Sequence, residues 1–278
     1  MPEEMVAAVP QPTTPRGRAL AERAASILPP PARANAMHGL RRLMDYQDAG
    51  YARLYLDRLE TVVMLDRGTF ELTSELARPL ALWMSYEDTI RVADLKTRGS
   101  RIARVRDEVR AGDGQLLRIT EFMHPRLREV CETLPAGLGR GILASKRLAG
   151  LLSRLIDKGR HVETTSLRWF LMLRGLAAMR FLRPRSLRFV EEQERIEAWL
   201  DVVRREAGRD NALATEIVRC QRLIKGYGDT FERGLGNFNR IMARHAASPR
   251  TAEDIRRLRD LALSDESGTA LAEELHAA

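Results

Sequence analysis

Cysteine is nearly absent: only Cys131 and Cys220 occur in 278 residues. An iron–sulfur cluster usually takes four thiolates, so this chain is not expected to hold one by itself. No C-x-x-C is present for redox or zinc chemistry. Two thiols outside any disulfide framework fit a reducing cytoplasm. Cys220 shares a helical face with Leu213, Ile217 and Ile224, so packing is its expected role. Lysine is almost as scarce, with Lys96, Lys146, Lys158 and Lys225 the only four against 42 arginines. That bias weakens any argument from the net charge of +8 alone. A secretory signal is missing too, since Glu3 and Glu4 stand in place of a basic start and no apolar run follows. The most apolar window, Leu167 to Leu182, is too short for a membrane span and carries Arg168, Arg174 and Arg180. The expected location is the cytoplasm.

Self-contained catalytic signatures are also lacking. The five histidines lie far apart, with no H-x-x-H or H-E-x-x-H, and no G-x-S-x-G occurs. Gly112-Asp113-Gly114 matches the start of a thiamine-diphosphate motif, but such motifs place an Asn roughly 25–30 residues later. No Asn lies between Asn35 and Asn211, so a turn is expected. Gly137-Leu138-Gly139-Arg140-Gly141 resembles a phosphate loop, yet no strand precedes it and no G-K-[ST] follows. It is expected to join two helices.

What is present is helical periodicity. Residues 1–35 hold seven of the 12 prolines and read as a linker-like, mostly disordered segment with room for a short helix from about Arg16 to Leu28. From Ala36 onward apolar residues recur at the 3.6 period. Leu40, Leu43, Met44, Tyr51, Leu54, Tyr55 and Val62 form one stripe, ended by Gly68. Thr73 is the expected cap of the next helix, which Pro79 should kink or restart. Later helices are expected over Ile142–Lys158, Thr165–Leu182, Leu187–Glu206, Asn211–Lys225 and Asp229–Ala243. Ser248-Pro249 is expected to open a last one. Leu148, Leu151, Leu152, Leu155 and Ile156 make a clean apolar stripe. No period-2 segment of any length occurs. The pattern predicts an all-α, multi-helix bundle of about eight to ten helices. Its helical domain spans 36–247, with a C-terminal helical extension over 248–278.

Two features carry possible binding chemistry. Between Arg140 and Arg188 twelve cations face only Asp157 and Glu163, a net +10 that leaves the rest of the chain at −2. Arg147, Arg154, Arg168, Arg174, Arg180, Arg183, Arg185 and Arg188 are its candidate interface residues. They would form a docking surface for something anionic, or else solvated helix faces. The second feature is the run from Lys225 to Phe238, where four glycines crowd a helix junction. Each costs about 1 kcal/mol in a helix interior relative to alanine, so close packing or a close ligand must offset it. Lys225, Tyr227, Asp229 and Arg233 are the candidate binding residues there, with a helix N-terminus that favours a phosphate or carboxylate. A tight helix corner is the competing reading.

Three segments resemble one family in consistent order. They are Tyr46-Gln47-Asp48-Ala49, then Ser85 to Arg98 (SYEDTIRVADLKTR), then Lys225 to Phe238. The chain resembles, over about Ala36 to Met242, the C-terminal helical domain of indolepyruvate oxidoreductase beta-subunit proteins, which are 2-oxoacid:ferredoxin oxidoreductases. The resemblance implies an accessory domain or subunit, acting in assembly or substrate gating, with no complete active site or catalytic residue of its own. It implies a partner catalytic subunit holding thiamine diphosphate and an iron–sulfur cluster. A separate α/β domain upstream is implied too, to which the Pro-rich start would be the linker. Pro79 departs from the family's pattern. The alternative is a free-standing basic module for nucleic acid or an anionic surface, although nucleic acid is not the expected partner.

Overall fold

A computed structural model describes residues 8–112, 114–226, 228–265 and 269–277. Helices dominate it, fifteen of them among the described residues, against a single two-stranded sheet. All-α is therefore the architecture, with more and shorter helices than the eight to ten expected.

The extra helices arise where a side-chain cap interrupts a periodic run. The long stripe from Leu40 to Val62 is two helices, α2 (Pro30–Tyr46) and α3 (Ala49–Val63). They part at Asp48, whose Oδ1 accepts the Tyr51 N–H at 2.8 Å. The Ile142–Lys158 run divides in the same way into α8 (Ala136–Ala144) and α9 (Lys146–Ile156), where the Ser145 hydroxyl accepts the Leu148 N–H. The glycines of 137–141 thus lie inside α8 and do not join two helices.

The prolines of the N-terminal segment start helices. Pro15 is the first residue of α1 (Pro15–Ile27), capped by the Thr14 hydroxyl, and Pro30 and Pro31 open α2. Leu20, Ala24 and Leu28 are buried, and Arg23 reaches Asp57 and Glu60 of α3 at 2.6 and 2.5 Å. Helix α1 matches the short helix expected over about Arg16 to Leu28, and with the start of α2 from Pro30 it corrects the expectation of a mostly disordered segment.

Other corrections follow from local bonding. In α4 (Glu71–Met84) Thr73 lies inside the helix, and its N–H and hydroxyl both donate to buried Asp66 Oδ2 at 2.8 and 2.7 Å. Pro79 sits inside α4, so it does not restart the helix. Ser248 ends a helix and starts none. The cap of α14 (Ala252–Ser264) is Thr251, in a reciprocal capping box with Asp254.

The chain forms two compact units, residues 1–86 with 195–278, and residues 87–194. In the first, α2 packs against α4, and α12 (Asn211–Arg219) against α4 and α14. Trp83, Trp199 and Phe238 meet there at ring-centroid separations of 5.1 and 5.4 Å. Trp199 Nε1 donates to the Ile217 carbonyl at 3.2 Å, so the buried indole leaves no polar group unmet.

The second unit contains α5 (Thr89–Lys96), α6 (Gly99–Glu108), α7 (Leu127–Thr133), α8, α9 and α10 (Leu167–Ala178). The start of α11 (Leu187–Ala207) belongs to it as well. Strands β1 (Thr120–Met123) and β2 (Arg160–Glu163) pair antiparallel, with Thr120 opposite Glu163 and Met123 opposite Arg160. Four residues per strand are too few to leave a period-2 signature in the sequence. Among the described residues, 46 apolar side chains are buried, and only Ile90, Ala93, Leu127, Cys131, Val162, Leu173 and Leu187 of them belong to this unit. Among the described residues no helix is long and apolar enough to cross a membrane.

Candidate functional site

The Lys225–Phe238 corner is built by backbone. A 3₁₀ turn over Cys220–Leu223 leads through Lys225, whose N–H donates to the Leu223 carbonyl at 3.1 Å. Gly226 and Gly228 take φ of +81° and +58°, a region that L side chains rarely adopt. Helix α13 (Asp229–Ala247) then crosses the turn so closely that a Cβ at Gly234 would strike the Leu223 carbonyl oxygen. Backbone conformation and close approach therefore account for three of the four glycines.

The candidate binding residues of this corner are spread over its outer face. Lys225, Asp229 and Arg233 are exposed, and Arg233 Nη2 donates to Thr230 Oγ1 at 3.5 Å. Tyr227 lies outside the described residues. Asp229 and Glu232 occupy the first turn of α13 and supply negative charge to its positive dipole end. An anion arriving there would meet those two carboxylates.

The basic stretch divides into two populations. Arg183 is 1% exposed, and its guanidinium grips Asp88 bidentately, Nε to Oδ2 at 2.6 Å and Nη2 to Oδ1 at 3.2 Å. Asp88 Oδ1 also accepts the Arg91 N–H at 2.6 Å, which caps α5. Arg188 pairs with Glu132 at 3.2 Å and with fully buried Glu192 at 3.0 Å. Burial pushes the Glu132 carboxyl up, opposed by Arg188 and Arg128. Arg183 and Arg188 thus serve the interior of this unit and leave the candidate surface. Arg147, Arg154, Arg168, Arg174, Arg180 and Arg185 are exposed on its outside. Arg168 lies over the Trp169 ring at 5.9 Å from the centroid.

The first two resemblance segments are fastened by polar contacts. Tyr46 and Tyr51 are buried with ring centroids 6.0 Å apart, and Tyr51 Oη donates to the Met84 carbonyl at 2.8 Å. Arg42 Nε donates to Ser85 Oγ, which in turn donates to the Ala81 carbonyl at 2.7 Å. Asp94 gathers Arg91 at 3.1 Å and Arg98. Lys96 and Arg101 converge on Glu121, with burial and Arg101 pushing the Lys96 amine down.

Neither thiol is poised as a nucleophile. Burial pushes Cys220 up to about 12, and burial with Glu132 nearby raises Cys131, so both are thiols at neutral pH. Among the described residues no group of three or more His, Cys, Asp or Glu could hold a metal ion.

The feature that the sequence pattern leaves unplaced is α9. Its apolar stripe is as clean as the sequence shows, yet Leu148, Leu151 and Leu155 are exposed and no residue of the helix is buried. The signal available in the sequence was the absence of any acidic residue from Arg140 to Ile156 beside that stripe.

No curated protein and no solved structure matches the chain. A family model covers residues 32–244, and the chain belongs to that family, DUF6537, a family of unknown function.

Proposed function

We propose that this chain is the helical accessory domain of an indolepyruvate-type 2-oxoacid:ferredoxin oxidoreductase, acting in assembly or substrate gating. Its partner is a catalytic subunit that carries thiamine diphosphate and the iron–sulfur cluster. The observation that carries this reading is the ordered resemblance of Tyr46–Ala49, Ser85–Arg98 and Lys225–Phe238. The family span of 32–244 takes in all three segments. Their contacts support a scaffold role. Asp48 and Asp88 cap helices, Ser85 receives Arg42, and Gly234 lets α13 cross a turn. Residues of this kind hold corners, so what is shared is a frame, and the chemistry falls to the partner.

The test is reconstitution. The chain is purified with the thiamine-diphosphate subunit of the same host, and aryl-pyruvate oxidation is measured with and without it. A stable stoichiometric complex with raised turnover is expected. A chain that neither binds that subunit nor changes its kinetics would sink the reading.

A second reading draws on the exposed cations of 140–188. A basic module for nucleic acid or an anionic surface would bind DNA, RNA or acidic vesicles with an affinity that falls steeply as salt rises. Absence of such binding at low ionic strength disposes of it.

A further inference from the structure

Helix α9 turns its leucines to water. Leu148, Leu151 and Leu155 recur at i, i+3 and i+7 and are 50%, 60% and 60% exposed. A helix this strongly amphipathic ordinarily spends that stripe on a core. Here the helix meets its own unit through α7 and α8, and none of its residues is buried. The rest of the unit follows suit. Among the described residues fifteen large apolar side chains are exposed, and twelve of them belong to residues 87–194, which hold only seven of the 46 buried ones. Single exposed leucines need no explanation. A unit poor in core and rich in exposed Leu, Met and Phe looks like one side of a permanent interface, a core divided between two chains.

Charge narrows what covers it. Lys146, Arg147 and Arg154 flank the leucines, are all exposed, and make no ion pair among the described residues. No acidic residue lies between Arg140 and Ile156. A second copy of the chain in a two-fold dimer would set this cationic rim against itself, because an isologous interface pairs a patch with the same patch. The complementary occupant is an apolar groove edged by Asp and Glu, the groove that receives an amphipathic helix from a partner.

We propose that the leucine face of α9 is the docking surface for the catalytic subunit, which meets Leu148, Leu151 and Leu155 with an apolar groove and Arg147 and Arg154 with carboxylates. This rests on the accessory-domain reading and adds the surface and the chemistry of the contact. The exposed stripe in a core-poor unit favours a protein groove over a bilayer.

The experiment titrates the full chain against the purified thiamine-diphosphate subunit of the same host, following affinity by calorimetry and amide exchange in the complex. Leu151→Glu with Leu155→Glu is expected to weaken binding by about 100-fold or more, as loss of central anchors does. Arg147→Glu with Arg154→Glu should weaken it about tenfold and flatten its salt dependence. Amides of 146–156 in the unmodified chain should gain protection on binding, a readout that needs no variant to fold. Wild-type binding with both variants within about threefold, or with no protection at 146–156, overturns this surface and leaves the accessory-domain reading standing. No wild-type binding overturns both. Leucine-dependent binding to phosphatidylserine vesicles, or leucine-dependent self-association, with subunit binding unchanged, assigns the face to a bilayer or a second copy and overturns the proposal.

Discussion

A methyl group added at Gly234 meets the carbonyl oxygen of Leu223, whereas one added at Gly236, two residues on in α13, meets open space. The same substitution therefore has opposite signs. Gly234→Ala should lose stability by about 1–3 kcal/mol or more through overpacking against backbone. Gly236→Ala should gain about 1 kcal/mol in helix propensity. Urea unfolding of the two variants checks the pair, and equal effects would mean that α13 does not cross the turn so closely. Arg183 and Asp88 set a second test. Arg183→Ala leaves a buried carboxylate without its bidentate partner and should cost about 3–5 kcal/mol. Adding Asp88→Ser, which keeps an oxygen to cap α5 and removes the charge, should recover a large part of that loss. Glu206 gives a pH signature. Burial alone would raise its carboxyl, but hydrogen bonds and charge from Arg205 and His245 outweigh burial and hold it below its usual 4.5. His245 Nε2 lies 3.3 Å from Glu206, while Nδ1 accepts the Arg250 N–H at 3.2 Å, so the ring is fixed at both nitrogens. With the folded value depressed, the stability Glu206 supplies is full above the unfolded value and is lost as pH falls through the folded one. Glu206→Gln should thus lower the melting temperature near pH 7, and the gap to wild type should shrink below about pH 4. A gap that widens in acid would contradict the depressed carboxyl.

At the scale of elements, α1 shows how proline can mislead. Seven prolines in 35 residues have the composition of a linker. Composition does not register that Pro15, Pro30 and Pro31 fall at the first turn of a helix, where the missing N–H costs nothing. Removing residues 1–28 therefore strips Leu20, Ala24 and Leu28 from their burial and Arg23 from Asp57 and Glu60. At about 1.5–3 kcal/mol for each fully buried leucine, a loss of about 3 kcal/mol or more is expected, read as a clear drop in melting temperature. A neutral truncation would restore the linker reading. Elsewhere periodicity found the helices and missed their joints, because a stripe continues in register across a two-residue corner such as Gln47-Asp48. The cap that divides it is a hydrogen bond made in space. The sheet escaped for want of length. The candidate sites were legible in part. The glycine corner was located correctly as a junction, while its acidic first turn argues against an anion. Arg183 read as surface because its partner, Asp88, lies 95 residues away. Arg188 has a near partner in Glu192 at i+4, but the burial of that carboxylate is not written in the spacing. The α9 stripe was legible as a stripe and no further, because a period reports amphipathicity and is silent on what covers the apolar side.

The two units of the molecule invest their apolar residues differently. Residues 1–86 with 195–278 gather Trp83, Trp199, Phe238 and most of the buried leucines, whereas residues 87–194 display Leu138, Leu151, Leu167, Leu171 and Phe181. Polar fastenings hold much of the second unit, from Asp88 with Arg183 to Glu121 with Lys96 and Arg101. Ion pairs of this kind position elements but contribute less net free energy than well-packed apolar side chains, because each charge gives up hydration to form them. Opening free energy should accordingly differ between the units, since it follows the apolar contacts broken when a segment unfolds. Native-state hydrogen exchange is expected to show the helices of 87–194, α9 first, exchanging through openings at denaturant levels where α2, α4 and α12 remain protected. The two transitions should be separable along the chain, with the change falling inside α11 between its first residues and Trp199. Exchange at a single common free energy across both units would mean that the exposed side chains of 87–194 cost the isolated chain nothing. The case that they await a partner would then lose its thermodynamic ground. Selective stabilisation of 87–194 on adding the catalytic subunit is the converse expectation, because a ligand that binds only the folded unit raises its opening free energy by mass action.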